Sequence, residues 1–357
     1  MRAWRVHELG EPDRVIRMEE IAPPDADALR GLRMSLGGWV PAGYPGAAPD
    51  PHEDWVVIEV AMAALSLPDV TMARGTYPVP VLRPYTSGQE GVGVVTDAAE
   101  RHRHLVGERV AACMIQPFGS LADVAVGVGM IVAVSDAMSD ADAAAFLIPA
   151  HTGYHAVVRR GRVGRGEVVA VTGAAGALGS ACIQLAKACG ATVVAIVGAS
   201  GDVDKAEHCR ALGADAVVDH TREDVADALL RETGGRGVDV IVDPVQGDGA
   251  ADLRRALRAG GRHVLCGHAG GLAPIDPHFY LRNHTLVGGT LGGYPPDEMR
   301  RMHEETQAAL DTMLAAGTYR PTPTRVIGFE DVPGALADIA ARRSAGRIVV
   351  DVASRAV

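Results

Sequence analysis

A glycine-rich turn between an apolar strand-like run and a helix constrains the fold of this chain more than any other feature. The run Val168–Thr172 leads into Gly173-Ala-Ala-Gly-Ala-Leu-Gly179 and then into a helical stretch. This spacing is that of G-x-G-x-x-G with alanine in the first position, which is the pattern of a dinucleotide-binding turn. Around it, short β-branched runs alternate with helical stretches. The alternation predicts a doubly wound α/β domain with a parallel sheet.

Each position of this turn has a mechanical role in binding a dinucleotide. Ala174 occupies the tight turn, Gly176 lets the backbone approach a pyrophosphate, and Gly179 allows the following helix to pack closely on the strand. The amino terminus of that helix offers N–H groups and the positive end of the helix dipole to phosphate oxygens. We therefore predict cofactor contacts from Ala174, Gly176, Ala177, Leu178 and Gly179.

The end of the second strand indicates which nicotinamide cofactor binds. NAD binders place an Asp or Glu there to hold the ribose hydroxyls, whereas the run Gly198–Ser200 contains no acid. A carboxylate at this point would repel a 2′-phosphate, so its absence favours NADPH. Ser200 can donate a hydrogen bond to that phosphate and Lys205 can act as a point charge, although Lys205 is alternatively a solvated helix residue. Asp202 and Asp204 lie nearby and weaken the signal.

The regions on either side of the α/β part are rich in short strands and turns. Val56–Val134 has the pattern of an all-β lobe, and strands return at Thr324–Ile327 and Arg347–Val352. We expect these last strands to rejoin the N-terminal lobe, so that the nucleotide-binding domain is an insertion. The predicted domains are residues 1–138 with 297–357 for catalysis, and 139–296 for dinucleotide binding. Asp25–Glu53 is predicted to be either a surface excursion or oligomer contact, or a cap over the active site.

Composition and charge exclude several classes of protein. The net charge of −10 and the aromatic content of 4% argue against a nucleic-acid binder. The charge-free stretch Val168–Ala186 is broken by glycines, and no basic-then-apolar leader opens the chain, so we expect neither a membrane span nor secretion. The five cysteines are scattered, which favours reduced thiols in the cytoplasm.

Several segments outside the glycine turn carry the motifs of one enzyme family. They are Ser66-Leu-Pro-Asp69, Ala73-Arg-Gly-Thr-Tyr-Pro78, Pro84-Tyr-Thr-Ser-Gly-Gln-Glu-Gly91, Val106-Gly-Glu-Arg-Val110, Ala150-His-Thr-Gly-Tyr-His155, Gly237-Val-Asp-Val-Ile-Val-Asp243 and Leu286-Val-Gly-Gly-Thr-Leu-Gly-Gly-Tyr294. With the turn, they resemble the zinc-free medium-chain dehydrogenase/reductases, and the zeta-crystallin-type NADPH:quinone oxidoreductases in particular. The resemblance implies a Rossmann domain inserted into a mostly β, GroES-like catalytic domain. It also implies a homodimer joined through the last strand of the parallel sheet.

The same resemblance implies three further cofactor contacts, from Ser66, Thr152 and Arg342. Ser66 stands where the quinone-reductase pattern usually has Asn, and a hydroxyl lacks the two donors of an amide. Arg342 has Arg343 and Arg347 as neighbours, and any of the three could instead be plain surface charge.

The residues at two motif positions argue against a catalytic zinc. Metal-dependent relatives carry Cys near the position of Leu67 and His at that of Gln89, and neither Leu nor Gln is a usual zinc ligand. Without a metal, hydride transfer to a conjugated acceptor is easier than alcohol oxidation, because the developing charge is delocalised. We therefore predict an NADPH-dependent oxidoreductase acting on a quinone or other small conjugated carbonyl. Tyr77 is the predicted proton donor, or else it lines the pocket while solvent supplies the proton.

Two alternative functions remain open from the same motifs. One is a 2-enoyl reductase acting on an enoyl-thioester or polyketide intermediate, and the other is an NADPH-binding scaffold with vestigial catalysis. Tyr294, which follows the last strand of the nucleotide domain, either lines the substrate mouth or caps that strand.

Overall fold

The computed structural model describes residues 1–25, 29–30, 32–35, 38–41, 53–79, 81–114, 116–198 and 204–354. These residues form two compact units. The first is Met1–Ile148 with Pro323–Val357, and the second is Pro149–Thr322.

The secondary structure of the described residues is as follows. The strands are β1 (Arg2–Val6), β2 (Ile16–Glu20), β3 (Leu32–Ser35), β4 (Gly38–Pro41), β5 (Trp55–Ala64), β6 (Tyr85–Thr86), β7 (Glu90–Ala98), β8 (Arg109–Met114), β9 (Val124–Ala133), β10 (Val168–Val171), β11 (Thr192–Val197), β12 (Ala216–Asp219), β13 (Val238–Asp243), β14 (Leu257–Leu265), β15 (Thr285–Gly288), β16 (Pro323–Gly328) and β17 (Arg347–Asp351). The helices are α1 (Pro12–Val15), α2 (Leu67–Arg74), α3 (Asp140–Tyr154), α4 (Ala177–Ala188), α5 (Lys205–Ala211), α6 (Val225–Glu232), α7 (Gly249–Arg255), α8 (Pro277–Leu281), α9 (Pro296–Ala315) and α10 (Val332–Ala340). Helix α3 continues into a π-helical turn, His155–Arg160.

The second unit is built on a six-stranded sheet in the order β12-β11-β10-β13-β14-β15. Every neighbouring pair in this sheet is parallel. Val169, Ala170 and Val171 of β10 are completely buried, as expected for a central strand covered on both faces. The predicted doubly wound α/β fold class is therefore confirmed.

The first unit contains a six-stranded sheet in the order β16-β17-β5-β7-β8-β9, in which β5 also pairs with β9. This second pairing closes β5, β7, β8 and β9 into a small barrel of antiparallel strands. Side chains of β5 alternate between two cores. Val56 and Ile58 belong to one hydrophobic cluster, and Trp55 and Val57 belong to another. Strands β16 and β17 join this sheet from the far end of the chain, so the α/β part is an insertion.

Helix α9 belongs to the second unit, although we predicted a domain boundary before it, at residue 296. Arg159 in the π-helical turn donates to the carbonyl of Met302 at 3.3 Å and to Glu305 at 2.9 Å. His151 contacts the Gln307 amide at 2.8 Å. These bonds attach α9 to α3 and its π-helical turn. The sequence pattern changes from α/β to β where the parallel sheet ends. That change does not indicate which of the two units the next helix packs on.

The segment Asp25–Glu53 is described only in part. Its described strands β3 and β4 pair as an antiparallel hairpin. Leu29 is buried in a cluster with Trp55 and Val126, which attaches the start of the segment to the β lobe. The interpretations of this segment as an excursion or a cap fall mainly on residues 42–52, which lie outside the described residues.

Candidate active site

The glycine turn follows the strand at which the connection order of the parallel sheet reverses. From β10 the chain proceeds to β11 and β12 on one side, and then returns to β13, β14 and β15 on the other. In open α/β sheets, ligands bind outside the carboxyl ends of the strands at such a switch point. Because Gly173–Gly179 lies at the carboxyl end of β10, the turn stands where a dinucleotide would bind.

The geometry of the turn explains why it needs glycine. Gly173 has φ +53°, which favours a residue without a side chain. A Cβ on Gly179 would lie 2.3 Å from the carbonyl oxygen of Gly173 and 2.6 Å from the Cα of Ala174. Gly176 is the N-cap residue of α4, and no side chain caps this helix. The amides of the first turn therefore remain available to phosphate oxygens, and the residues present fit a pyrophosphate.

The loops after β13 and β14 extend the same edge of the sheet. A Cβ on Gly173 would lie 3.0 Å from Cγ2 of Val245, so the first of these loops touches the turn. The amide of Gly270 donates to the carbonyl of Val245 at 2.7 Å, and that of Gly247 donates to Gly271 at 3.1 Å. The loops after β10, β13 and β14 thus form one continuous wall.

A buried carboxylate holds the ends of these strands together. Asp243, the last residue of β13, accepts hydrogen bonds from the Thr172 hydroxyl at 2.5 Å and from Nε2 of His263 at 2.9 Å. It also accepts from the amides of Val245 and Gln246. Burial opposes ionisation, but the hydrogen bond and charge of His263 and the other donors hold the pKa of Asp243 below its usual range. Asp243 was not among the predicted site residues, although an acid at the end of an apolar strand was a usable signal.

The end of β11 is where the cofactor ribose is expected. Lys205 is 7% exposed and is therefore not a solvated helix residue. Asp204 is the N-cap of α5, and its carboxylate accepts from the amides of Ala206 and Glu207. Because the helix amides partly compensate its negative charge, the Asp204 carboxylate repels a 2′-phosphate less than a free carboxylate would. Ser200 and Asp202 lie outside the described residues.

Thr152 lies on α3, three residues before His155, which contacts Tyr294 in a pair that no motif of the sequence indicated. The hydroxyl oxygen of Tyr294 lies 3.3 Å from Nε2 of His155. Their rings meet edge to face, with centroids 5.6 Å apart. Tyr294 thus has a specific partner, and no spacing in the sequence brought the two residues together.

In the first unit, Ser66 and Asp69 form a compact hydrogen-bonded group. Asp69 Oδ2 accepts from the Ser66 hydroxyl at 2.6 Å and from its amide at 2.8 Å. Its other oxygen accepts from the Ser87 hydroxyl and the Gly88 amide. Asp69 therefore has the structural role that its burial suggests. The Ser66 hydroxyl has used its proton, so toward a cofactor it is an acceptor only.

Tyr77 is half-buried against the main core of the first unit and faces Gln89. Burial raises the pKa of Tyr77 above the usual phenol value, and a hydrogen bond with the Gln89 side chain partly opposes this shift. The phenol is therefore protonated at neutral pH, as a proton donor must be.

The three neighbouring arginines have different roles. Arg343 is paired with Asp338 at 2.8 Å, and Arg347 forms a buried ion pair with Glu90. Arg342 is exposed and has φ +59°. The structure thus assigns Arg343 and Arg347 to ion pairs within the first unit.

The side chains that could bind a metal are dispersed among the described residues. Within the described parts of the chain, no three His, Cys, Asp or Glu side chains are grouped so that they could hold a metal. All five cysteines are free thiols. Burial raises the pKa of Cys182 and of Cys209 to about 12, which keeps both thiols protonated.

Comparison with known proteins gives the family of the chain. The family model described as "Alcohol dehydrogenase GroES-like domain" matches residues 52–191, and "Zinc-binding dehydrogenase" matches residues 177–308. Quinone oxidoreductase-like protein 2 of Rattus norvegicus is 29% identical over 301 residues, which is 83% of this chain and 85% of that protein. A phenolphthiocerol/phthiocerol polyketide synthase of Mycobacterium tuberculosis is 33% identical over 224 residues. That match spans 61% of this chain but only 10% of the synthase.

The solved structures agree with this placement. The quinone oxidoreductase of Thermus thermophilus, which was also solved in complex with NADPH, is 28% identical, with a TM-score of 0.73 over 98% of this chain and 100% of that one. No helix in the described residues is both long enough and apolar enough to cross a membrane. The matched domains, the relatives and the sheet order agree: this chain belongs to the medium-chain dehydrogenase/reductases of the quinone oxidoreductase type.

Proposed function

We propose that this protein is an NADPH-dependent oxidoreductase that reduces a quinone or another small conjugated carbonyl compound without a metal. The observation that carries the proposal is the uncapped glycine turn Gly173–Gly179 at the switch point of the sheet. Such a turn binds a dinucleotide pyrophosphate. The Thermus thermophilus relative, solved with NADPH, supports the choice of cofactor.

The side chains of the site have defined tasks in this proposal. When bound, the reduced nicotinamide supplies a hydride, which is two electrons and one proton, to an electron-poor carbon. Backbone amides of Ala177, Leu178 and Gly179 hold the pyrophosphate, and Gly176 lets the backbone approach it. Lys205 neutralises the 2′-phosphate. Thr152 and Arg342 contact the cofactor, and Ser66 accepts a hydrogen bond from it. Tyr77 donates the proton that completes the reduction of the acceptor.

A second candidate activity is the reduction of a 2-enoyl-thioester. The match to a polyketide synthase favours it, because 224 residues of this chain align with part of a protein named for polyketide synthesis. Both reactions deliver a hydride to a conjugated carbon, so the same residues would serve either acceptor.

Steady-state assays with two acceptor panels separate the candidates. NADPH oxidation is followed with a series of quinones and small enones, and with crotonyl-thioester. A quinone oxidoreductase shows the higher kcat/KM with quinones, and an enoyl reductase shows it with the thioester. NADPH binding without turnover of any acceptor would instead indicate a scaffold with vestigial catalysis.

We further propose that the protein forms a homodimer through β15. This strand ends the described parallel sheet, and four strongly exposed apolar side chains precede it. They are Leu272 (82%), Ile275 (72%), Tyr280 (66%) and Leu281 (66%). A second copy that extended the sheet would cover an exposed edge and these side chains together.

We also propose that the protein is cytoplasmic, because its five free thiols suit a reducing compartment.

A further inference from the structure

The pair Tyr294–His155 has a geometry that a strand cap does not need. Tyr294 Oη lies 3.3 Å from Nε2 of His155, while Nδ1 of the same ring is buried without a hydrogen-bond partner among the described residues. His155 itself is 2% exposed. Buried polar atoms normally have partners, so the unpartnered nitrogen limits which tautomer the ring can adopt.

The tautomer of His155 determines whether the Tyr294 hydroxyl donates to the imidazole or accepts a hydrogen bond from it. An unpaired buried N–H is rarer and costlier than an unpaired acceptor, so the proton of His155 belongs on Nε2. Nε2–H then donates to the phenol oxygen of Tyr294. The O–H of Tyr294 is therefore directed away from His155 and is available to another acceptor. A phenol that accepts one hydrogen bond is also a stronger donor in the next.

The imidazole is held in its neutral form. Burial lowers the pKa of His155 to about 4, and the charges of Arg160 and Arg159 act in the same direction. The ring consequently keeps one proton throughout the physiological pH range. Tyr294 therefore faces a neutral donor, which does not draw its proton away.

The pair lies at the carboxyl edge of the parallel sheet, where the proposed acceptor would bind. Tyr294 follows β15 by a short loop. A Cβ on Gly289 in that loop would lie 3.4 Å from Cys266 Cβ, just beyond β14, and 3.5 Å from the Cα of Ala156. His155 is three residues after Thr152, and such residues are neighbours on a helix. The loop after β15, the end of β14 and the π-helical turn are thus contiguous.

We propose that Tyr294, oriented by His155, donates a hydrogen bond to the carbonyl oxygen of the acceptor. This inference rests on the proposed function and adds the group that recognises the acceptor. As hydride from the cofactor adds to the conjugated carbon, negative charge develops on that oxygen, and the Tyr294 O–H stabilises it without losing its proton. Tyr294 is then a binding residue for the acceptor oxygen, and His155 is a positioning residue.

The test uses a phenol that cannot be reduced. 4-Cyanophenol is titrated calorimetrically into protein loaded with NADP⁺, because its phenolate resembles the oxygen of the reduced acceptor. Hydrogen bonds to charged groups are strong, so Tyr294→Phe should weaken phenol binding by about tenfold or more. The same variant should lower kcat/KM for the acceptor by a similar factor while NADPH affinity stays unchanged. His155→Leu should weaken phenol binding as much as Tyr294→Phe does. His155→Gln retains a donor near the position of Nε2 and should keep most of the phenol affinity.

A matched control comes from the other end of β15. His284 is also a buried histidine, and it lies directly before β15. His284→Gln should leave phenol affinity unchanged. Phenol affinity and kcat/KM that are unaffected by Tyr294→Phe, in a wild type that turns over its acceptor, would overturn this inference alone. Equal losses in His155→Gln and His155→Leu would overturn the positioning role of His155. A wild type that binds no NADPH would overturn the proposed function instead.

Discussion

At the scale of single residues, hydrogen-bonding capacity separates structural groups from candidate reacting groups. Asp69 has four donors directed at it, and Asp243 has four as well, so both carboxylates are saturated. Tyr77 keeps a protonated phenol that is hydrogen-bonded to the Gln89 side chain. The sequence indicated which residue types could take part in hydrogen bonding at the site. It did not indicate their partners, because Tyr294 and His155 are 139 positions apart and meet only through the fold.

Tyr77 is expected to matter for the chemical step and not for cofactor binding. General acid catalysis contributes about 10²–10⁴-fold, so Tyr77→Phe should lower kcat by about 100-fold or more. NADPH affinity should be unchanged. Steady-state kinetics and fluorescence titration measure the two quantities. Tyr85→Phe is the matched control, because Tyr85 is fully buried in the same core and its hydroxyl has no partner among the described residues. Full activity of Tyr77→Phe on every acceptor would show that solvent provides the proton.

Asp239 and Asp243, two acidic residues of β13, should make the free energy of unfolding depend on pH. Burial works against ionisation of Asp239 and of Asp243, but their hydrogen bonds and ion pairs prevail, and both pKa values lie below the usual range. Carboxylates with a depressed folded-state pKa stabilise the protein above the unfolded value of about 3.9, and this contribution is lost as pH falls through the folded pKa. The free energy of unfolding should therefore decline below about pH 4.

Urea denaturation from pH 3 to pH 7 measures this decline. Asp239→Asn removes the charge that pairs with Arg236 and Arg258, so it should lower stability at pH 7 and flatten the acid limb. Asp136→Asn, at an exposed position, is the control and should change neither. An acid limb in Asp239→Asn as steep as in the wild type would contradict this assignment.

At the scale of elements, the glycine turn and its helix were predictable because local rules determine them. A β-branched run, a glycine pattern and a run of good helix formers follow one another within 21 residues, from Val168 to Ala188. The placement of α9 was not predictable in the same way. Its packing depends on Arg159 and His151, which are more than 140 positions earlier in the chain. Ion pairs and side-chain bonds over such distances leave no periodic signal.

Gly179→Ala tests whether the close packing of the turn is needed for cofactor binding. The new methyl group would lie 2.3 Å from a backbone oxygen, so the turn must move. We expect NADPH affinity to fall by about tenfold or more, since a phosphate site depends on amides held in place. Gly249→Ala, at the start of α7 with nothing within 4 Å of the added Cβ, is the matched control and should bind NADPH normally. Normal NADPH affinity in Gly179→Ala would show that the glycine turn is not part of the cofactor-binding site.

At the scale of the whole molecule, the family motifs indicated both units and the insertion of one into the other. The strands β16 and β17 return to the sheet of the first unit, as the C-terminal pattern suggested. The bounds of the units were harder to predict, because α3 continues across the first of them at Ile148–Pro149. A helix that runs through a domain boundary gives no break in the sequence.

The proposed dimer can be tested by removing its apolar contact. Leu281→Glu places a charge on the exposed apolar stretch before β15, and burying an unpaired charge is costly. Light scattering after size exclusion should show a dimer for the wild type and a monomer for Leu281→Glu. Val94→Glu, at an exposed position of the first unit, is the control and should leave the dimer intact. A monomeric wild type would contradict the proposed dimer.

The central claim is that a reduced, phosphorylated nicotinamide cofactor binds along the glycine turn. Fluorescence titration of the purified protein with NADPH and with NADH tests it most directly. We predict saturable binding of one NADPH per chain, with an affinity higher than that for NADH, and its loss in Gly179→Ala. A protein that binds neither nucleotide would contradict the account.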